Sequence, residues 1–152
     1  MKSINEWLSE YSESHQNPTN KAIHFICVPV IFFSITGLLY TIKLMYVFGI
    51  EITLAQVILI GVAIYYFSLS VPIAIGMILY AAFCVALCCI IEQSIGHLLI
   101  ISVLLFVLAW IAQFYGHNIE GKKPSFLKDI RFLLIGPAWI MSFLFKKTGL
   151  PL

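Results

Sequence analysis

Charge is what this sequence has least of. Its 152 residues hold seven acidic and nine basic side chains, 11% charged in all, against about 25% in an ordinary soluble domain. The stretch 22–42 contains no Asp, Glu, Lys or Arg, nor does 52–91, nor 93–119. With 61% hydrophobic residues and a mean hydropathy of +1.00, too little polar surface remains to dissolve a globule of this size. The net charge of +2 is too small for an electrostatic grip on phosphates, so no nucleic-acid partner is expected. Cysteine pairs are missing too. Cys27, Cys84, Cys88 and Cys89 lie inside apolar runs without a CxxC spacing, which reads as small buried hydrophobes rather than a disulfide framework. There is no internal repeat, no low-complexity tract, and no HxxxH or HExxH pair.

What is present is a series of long apolar runs. Residues 3–14 are amphipathic, with Ile4, Trp7, Leu8 and Tyr11 on one side and Glu6, Glu10 and Glu13 on the other, and predict a short helix at the membrane interface. Asn17-Pro18 is an N-cap followed by a proline at the first helical position, so a helix is expected from Pro18 to about Lys43, with Pro29 as a possible kink. Its apolar part, Ile23 to Ile42, has the length of one bilayer crossing, about 20 residues. It starts too late, and after too many carboxylates, for a cleaved signal peptide. Further runs extend from about Thr53 to Leu69, Pro72 to Ile91 and Gly96 to Tyr115, the second and third joined tightly at Ser68–Val71. The last run, Phe132–Phe145, is short and is broken by Gly136-Pro137; runs of 10–14 residues are more often re-entrant or interfacial. The expected fold is therefore all-α: one integral membrane domain over 1–152, a polytopic bundle of four transmembrane helices. An N-terminal amphipathic helix and a C-terminal re-entrant or interfacial segment complete it. Glu51 and Glu92 are expected in outer loops.

Basic residues orient such a bundle. Lys122, Lys123, Lys128 and Arg131 follow the fourth run and mark that end as cytoplasmic. Four crossings return the N-terminus to the same side, and a re-entrant last run keeps Lys146 and Lys147 there. The same count sorts the histidines. His15 and His24 fall at the start of the first crossing and His117 at the end of the fourth, at one membrane level. His97 precedes His117 by 20 residues, about 30 Å of helix, and belongs to the opposite face.

Helical spacing places Asn20 with His24 and Gln113 with His117 (i,i+4), and His117 with Glu120 (i,i+3). An amide or carboxylate beside each ring is the kind of neighbour that orients a ligating imidazole. Three imidazoles with a carboxylate suit zinc, iron, copper or nickel. On the residues alone, a metal-dependent lipid hydrolase or oxidase and a non-enzymatic lipid-binding or transport protein both stay open. The uncharged middle of the chain argues against ion-coupled transport, which places ionisable groups near the midplane.

Two segments carry a resemblance: HQNPTNKAIH at 15–24 and WIAQFYGHNIE at 110–120, followed by KKP at 122–124. In these elements, their order and the surrounding apolar runs, the sequence resembles the membrane-bound 2-hydroxy-fatty-acid dioxygenases of lipid α-oxidation, whose bacterial members were long catalogued as a domain of unknown function. Glu120 stands three residues after His117, where some relatives place it four after, and Ser125-Phe126 stand where many have Ala-Leu. His97 matches no motif of the family. The resemblance implies an Fe(2+) enzyme that uses O2 to shorten a long-chain 2-hydroxy fatty acid by one carbon at the cytoplasmic membrane face. It implies His15, His24 and His117 as catalytic iron ligands, with Glu120, water or another group as the fourth ligand. Asn17, Asn20 and Gln113 would be substrate-contacting or supporting groups. By their charge, Lys122 and Lys123 are an orientation signal and a lipid-headgroup contact that also suits an anionic substrate headgroup. Membrane lipids are the expected surroundings, in an inner membrane if the source is bacterial and the endoplasmic reticulum if eukaryotic. The sequence leaves acyl-chain preference and oligomeric state open.

Overall fold

The computed structural model describes residues 2–149. Its first element, α1 (Ile4–Ser12), starts at a reciprocal cap. The Ser3 hydroxyl accepts from the Glu6 backbone N–H, and the Glu6 carboxylate accepts from the Ser3 backbone N–H. The apolar stripe predicted for this helix is buried, as Ile4, Trp7, Leu8 and Tyr11. Part of what covers it is protein. Trp7 and Tyr11 pack on Phe132 and Trp139, and the Trp139 indole N–H donates to the Ser12 hydroxyl at 2.8 Å.

Four long helices follow: α2 (Pro18–Tyr40), α3 (Leu54–Leu69), α4 (Val71–Ser94) and α5 (Leu98–Glu120). Local chemistry sets their ends. The Asn17 carboxamide oxygen accepts from the Thr19 and Asn20 N–H groups ahead of Pro18, Ser70 caps α4 from within a one-residue link, and Gly121 closes α5 in the left-handed region at φ 70°. Three of the four, α2, α4 and α5, are long and apolar enough to cross a membrane, while α3 has 16 residues. The bundle is tightest between α2 and α5. There Gly37 lies against Ser102 so closely that a Cβ would overlap the hydroxyl oxygen, the small-residue contact by which membrane helices approach. The helix α3 packs on α4 and α2.

Two features depart from expectation. Residues 43–53 form an antiparallel hairpin, β1 (Lys43–Val47) and β2 (Ile50–Thr53), with Val47 opposite Ile50. Consequently α2 stops at Tyr40 rather than Lys43, and Glu51 sits in a strand, paired with Lys43 and Tyr46. Its two-residue turn, Phe48-Gly49, has φ 49° and 79°, the double positive φ of a type I′ hairpin turn. The second departure is α6 (Phe132–Thr148), which runs unbroken through Gly136-Pro137. Proline removes one backbone donor, and the neighbouring Leu134 carbonyl accepts the Tyr66 hydroxyl at 2.7 Å. The contacts of α6 stay near one end of the bundle. Gly136 approaches Val28, Trp139 and Phe143 meet Phe25, and Met141 and Phe145 meet Gly76. Each partner lies in the first half of its own helix.

Candidate metal centre

The loop 13–17 and the facing ends of α2 and α5 bring three imidazoles into one buried cluster. The ring centroids of His15 and His24 are 4.3 Å apart, those of His15 and His117 5.0 Å, and those of His24 and His117 4.8 Å. One nitrogen from each lies within 4.8 Å of the other two. Their exposures are 0%, 1% and 5%, so all three rings are withdrawn from bulk solvent.

Hydrogen bonds assign the tautomers of two rings. His15 Nδ1 is 2.6 Å from the Tyr11 carbonyl oxygen, and His24 Nδ1 is 3.0 Å from the Asn20 carbonyl oxygen. A carbonyl only accepts, so both Nδ1 atoms carry the proton and both Nε2 atoms present a lone pair. His15 Nε2 and His117 Nδ1 are buried and have no hydrogen-bond partner among the described residues. Unpaired buried nitrogens cost free energy, and a metal ion held by one nitrogen from each ring would satisfy both of these. The donor set, the fixed tautomers and the burial therefore fit a first-row transition metal. The amides expected to orient the rings do not do so. The orienting groups are backbone carbonyls, each four residues before its histidine. Gln113 lines the cavity beside the cluster, with its Nε2 buried and unpaired.

Burial holds His15 neutral and pushes its pKa down to about 4. Unfolded His15 takes a proton below about 6.5, and folded His15 only below about 4. Between these values the unfolded chain binds more protons, so stability falls as pH falls. The expected result for chelator-treated protein is a melting temperature that drops from pH 7 to pH 5, with a shallower slope in His15→Gln.

Glu120 is not within the cluster. Its carboxylate accepts from the Gln16 N–H at 2.8 Å, the Asn17 N–H at 2.8 Å and the Asn20 side-chain N–H at 3.1 Å. Both oxygens are thereby used to tie the 15–20 segment to the end of α5. Asn17 serves as the cap of α2, and Asn20 also donates to the Ser14 carbonyl at 3.1 Å. The Lys122 ammonium donates to the Glu13 carbonyl at 2.6 Å, at the end of α1, where a cation is favourable. Lys123 is exposed, and exposed His97 precedes α5 at its far end.

Gly116 lets the two histidine segments meet. A Cβ there would overlap Asn20 Oδ1. Gly116→Ala is expected to destabilise the protein by about 1–3 kcal/mol, the usual range for overpacking. Gly61→Ala, inside α3 with nothing near the added methyl, serves as the control in the same thermal or denaturant assay and should be no less stable than wild type, gaining up to about 1 kcal/mol.

The spacing argument missed several contributors. Tyr11 stacks on His15 at 4.1 Å, and Trp139 of α6 lies 5.5 Å from it. The Ser14 and Ser125 hydroxyls meet at 2.5 Å, joining the loop after α5 to the residue before His15. Of these, only Tyr11, one helical turn before His15, carried a signal in its spacing.

Residues 1–148 match the family model described as 2-hydroxy-palmitic acid dioxygenase Mpo1-like. The chain is 30% identical over 147 residues to the 2-hydroxy-palmitic acid dioxygenase MPO1 of Saccharomyces cerevisiae, covering 95% of this chain and 81% of that protein. No solved structure matches it at a significant level.

Proposed function

This chain belongs to the 2-hydroxy-palmitic acid dioxygenase Mpo1-like family, and from that premise we propose that it is an Fe(II)-dependent dioxygenase shortening long-chain 2-hydroxy fatty acids by one carbon. The observation that carries the iron assignment is the buried triad of His15, His24 and His117 with its unpaired nitrogens. A bound ferrous ion would supply oxygen activation and a chelating site for the hydroxyl and carboxylate of the substrate. The chain's own residues do the rest. Tyr11 and Asn20 hold two imidazoles in the tautomer that offers Nε2, Glu120 fixes the segment between them, and Gln113 and Ser125 place polar groups at the cavity mouth. The reaction balances without a further reductant: the 2-hydroxy acid and one O2 give the acid one carbon shorter, carbon dioxide and water.

In this reading α2 to α5 are four crossings. Lys122, Lys123, Lys128 and Arg131 keep the histidine end cytoplasmic, in an inner membrane or the endoplasmic reticulum according to the source. The helix α6 lies across that end, which leaves Lys146 and Lys147 on the same side.

The test is turnover of 2-hydroxypalmitate to pentadecanoate by purified protein. Activity should require O2, disappear with chelator and return with Fe(II) but not Zn(II). Shortening that persists without oxygen or metal overturns the proposal, and the oxygen requirement separates it from a zinc hydrolase using the same histidines.

A further inference from the structure

A cavity of about 350 Å³ opens from the histidine cluster, a volume in the range of small-molecule sites. Its polar groups are those of the three histidines, Tyr11, Trp110, Gln113, Ser125 and Arg131, with Thr36 on α2. Along α2 and α3 the wall is otherwise apolar. Val28, Phe32, Ile35 and Leu39 present one continuous face of α2, and Ile58, Leu59 and Val62 line the cavity from α3. Thr36 also lines it, but its hydroxyl is spent on the Phe32 carbonyl at 2.9 Å.

The far end can be located along the helices. Leu39 is fifteen residues beyond His24, about 22 Å at 1.5 Å per residue. The Leu54 N–H donates to the Ile42 carbonyl at 2.9 Å, so α3 begins at the level where α2 has just ended. Running antiparallel from there, α3 brings Ile58 to the level of Leu39. A sixteen-carbon chain held at C1 and C2 extends a further fourteen bonds, about 18 Å at roughly 1.25 Å per zig-zag carbon. Its methyl end reaches about the level of residue 36, within one helical turn of Leu39.

We propose that this cavity is an acyl-chain ruler, in which Leu39 and Ile58 set the longest chain whose carboxyl end still reaches the histidines. The proposal rests on the reading of the histidine cluster as the reaction site. Selectivity arises from the end wall rather than from burial as such, because a fatty acid leaving the bilayer is already out of water.

Tryptophan at either position adds about 5 Å of side chain, roughly four carbons at the same zig-zag rise. Leu39→Trp and Ile58→Trp should each lower kcat/KM for 2-hydroxypalmitate tenfold or more and change that for 2-hydroxydodecanoate less than threefold. A parallel fall for both acids, or for neither, overturns the ruler. Two variants on different helices guard against a folding failure in one. A second arm needs no turnover. Wild-type protein in lipid nanodiscs is photolysed with palmitic acid carrying a diazirine at its methyl end, and the adducts are mapped by mass spectrometry. Adducts within residues 35–39 or 58–59 support the ruler. Adducts at 126–133, or on the lipid-facing sides alone, overturn it. If the adducts map as expected but no 2-hydroxy acid is consumed, the dioxygenase reading fails and the acyl site stands.

Discussion

His117→Ala is expected to abolish turnover of 2-hydroxypalmitate, by on the order of a thousandfold or more, and to release bound iron. Losses of this size accompany removal of a group from the reacting centre itself. The structural argument is that His117 is the only one of the three imidazoles delivered by α5, the other two coming from the loop before α2 and from α2. Deleting it leaves two nitrogens on one side of the site. Folding should survive, because the substitution also removes a buried nitrogen, His117 Nδ1, that has no partner among the described residues. The two readouts are metal content by mass spectrometry and melting temperature with and without chelator. In wild type, iron should raise the melting temperature by mass action. In His117→Ala the chelator should change nothing. A variant that keeps its iron and loses only turnover would move His117 from ligand to a proton-handling role, and one that keeps both would remove it from the site.

Much of the frame was legible because local chemistry dictates it. The Asn17-Pro18 start and the tight link at Ser68–Val71 are satisfied within a few residues of themselves, and sequence spacing reads such features directly. The grouping of His15, His24 and His117 was legible for a different reason: reading the four runs before residue 116 as helices of alternating direction brings the first and last polar segments to one end of the bundle. The hairpin at 43–53 was hidden because its turn is Phe48-Gly49, with a bulky residue at the first positive-φ position where Asn or Asp is the usual signal. The continuity of α6 was hidden because Gly136 and Pro137 read as breakers in isolation. In the fold, Gly136 sits where a Cβ would be 3.0 Å from the Tyr11 hydroxyl, a close approach that no local rule contains. The ring-orienting groups were invisible in principle, since every residue has a carbonyl and only geometry selects those of Tyr11 and Asn20. Glu120 was the opposite case. The family resemblance offered it as a fourth ligand, but in the fold three N–H donors have the claim on its oxygens.

That claim makes a second large effect predictable. Glu120→Ala should weaken iron binding ten- to hundredfold, the usual cost of losing a group that supports ligands without touching the metal. The carboxylate is the acceptor for two consecutive backbone N–H groups, Gln16 and Asn17, and for the Asn20 side chain. Without it the segment between His15 and His24 keeps its helix cap at Asn17 and its packing on α5, but loses three hydrogen bonds to the end of that helix, which carries His117. The 15–17 segment that delivers His15 is then less firmly placed against His117. The distinction from a direct ligand is quantitative. An iron ligand replaced by alanine should behave like His117→Ala, with iron gone at any practical concentration. A supporting group should give a variant whose activity returns when Fe(II) is raised by the same ten- to hundredfold, with kcat close to wild type once saturated. Glu120→Gln sharpens the comparison. Its single carbonyl oxygen accepts from one of the two backbone donors, while its NH2 faces the other donor-to-donor, so it should fall between wild type and alanine in iron affinity. If Glu120→Gln and Glu120→Ala both lose iron irrecoverably, the carboxylate coordinates the metal in the working enzyme and its three present hydrogen bonds must be exchanged when iron binds.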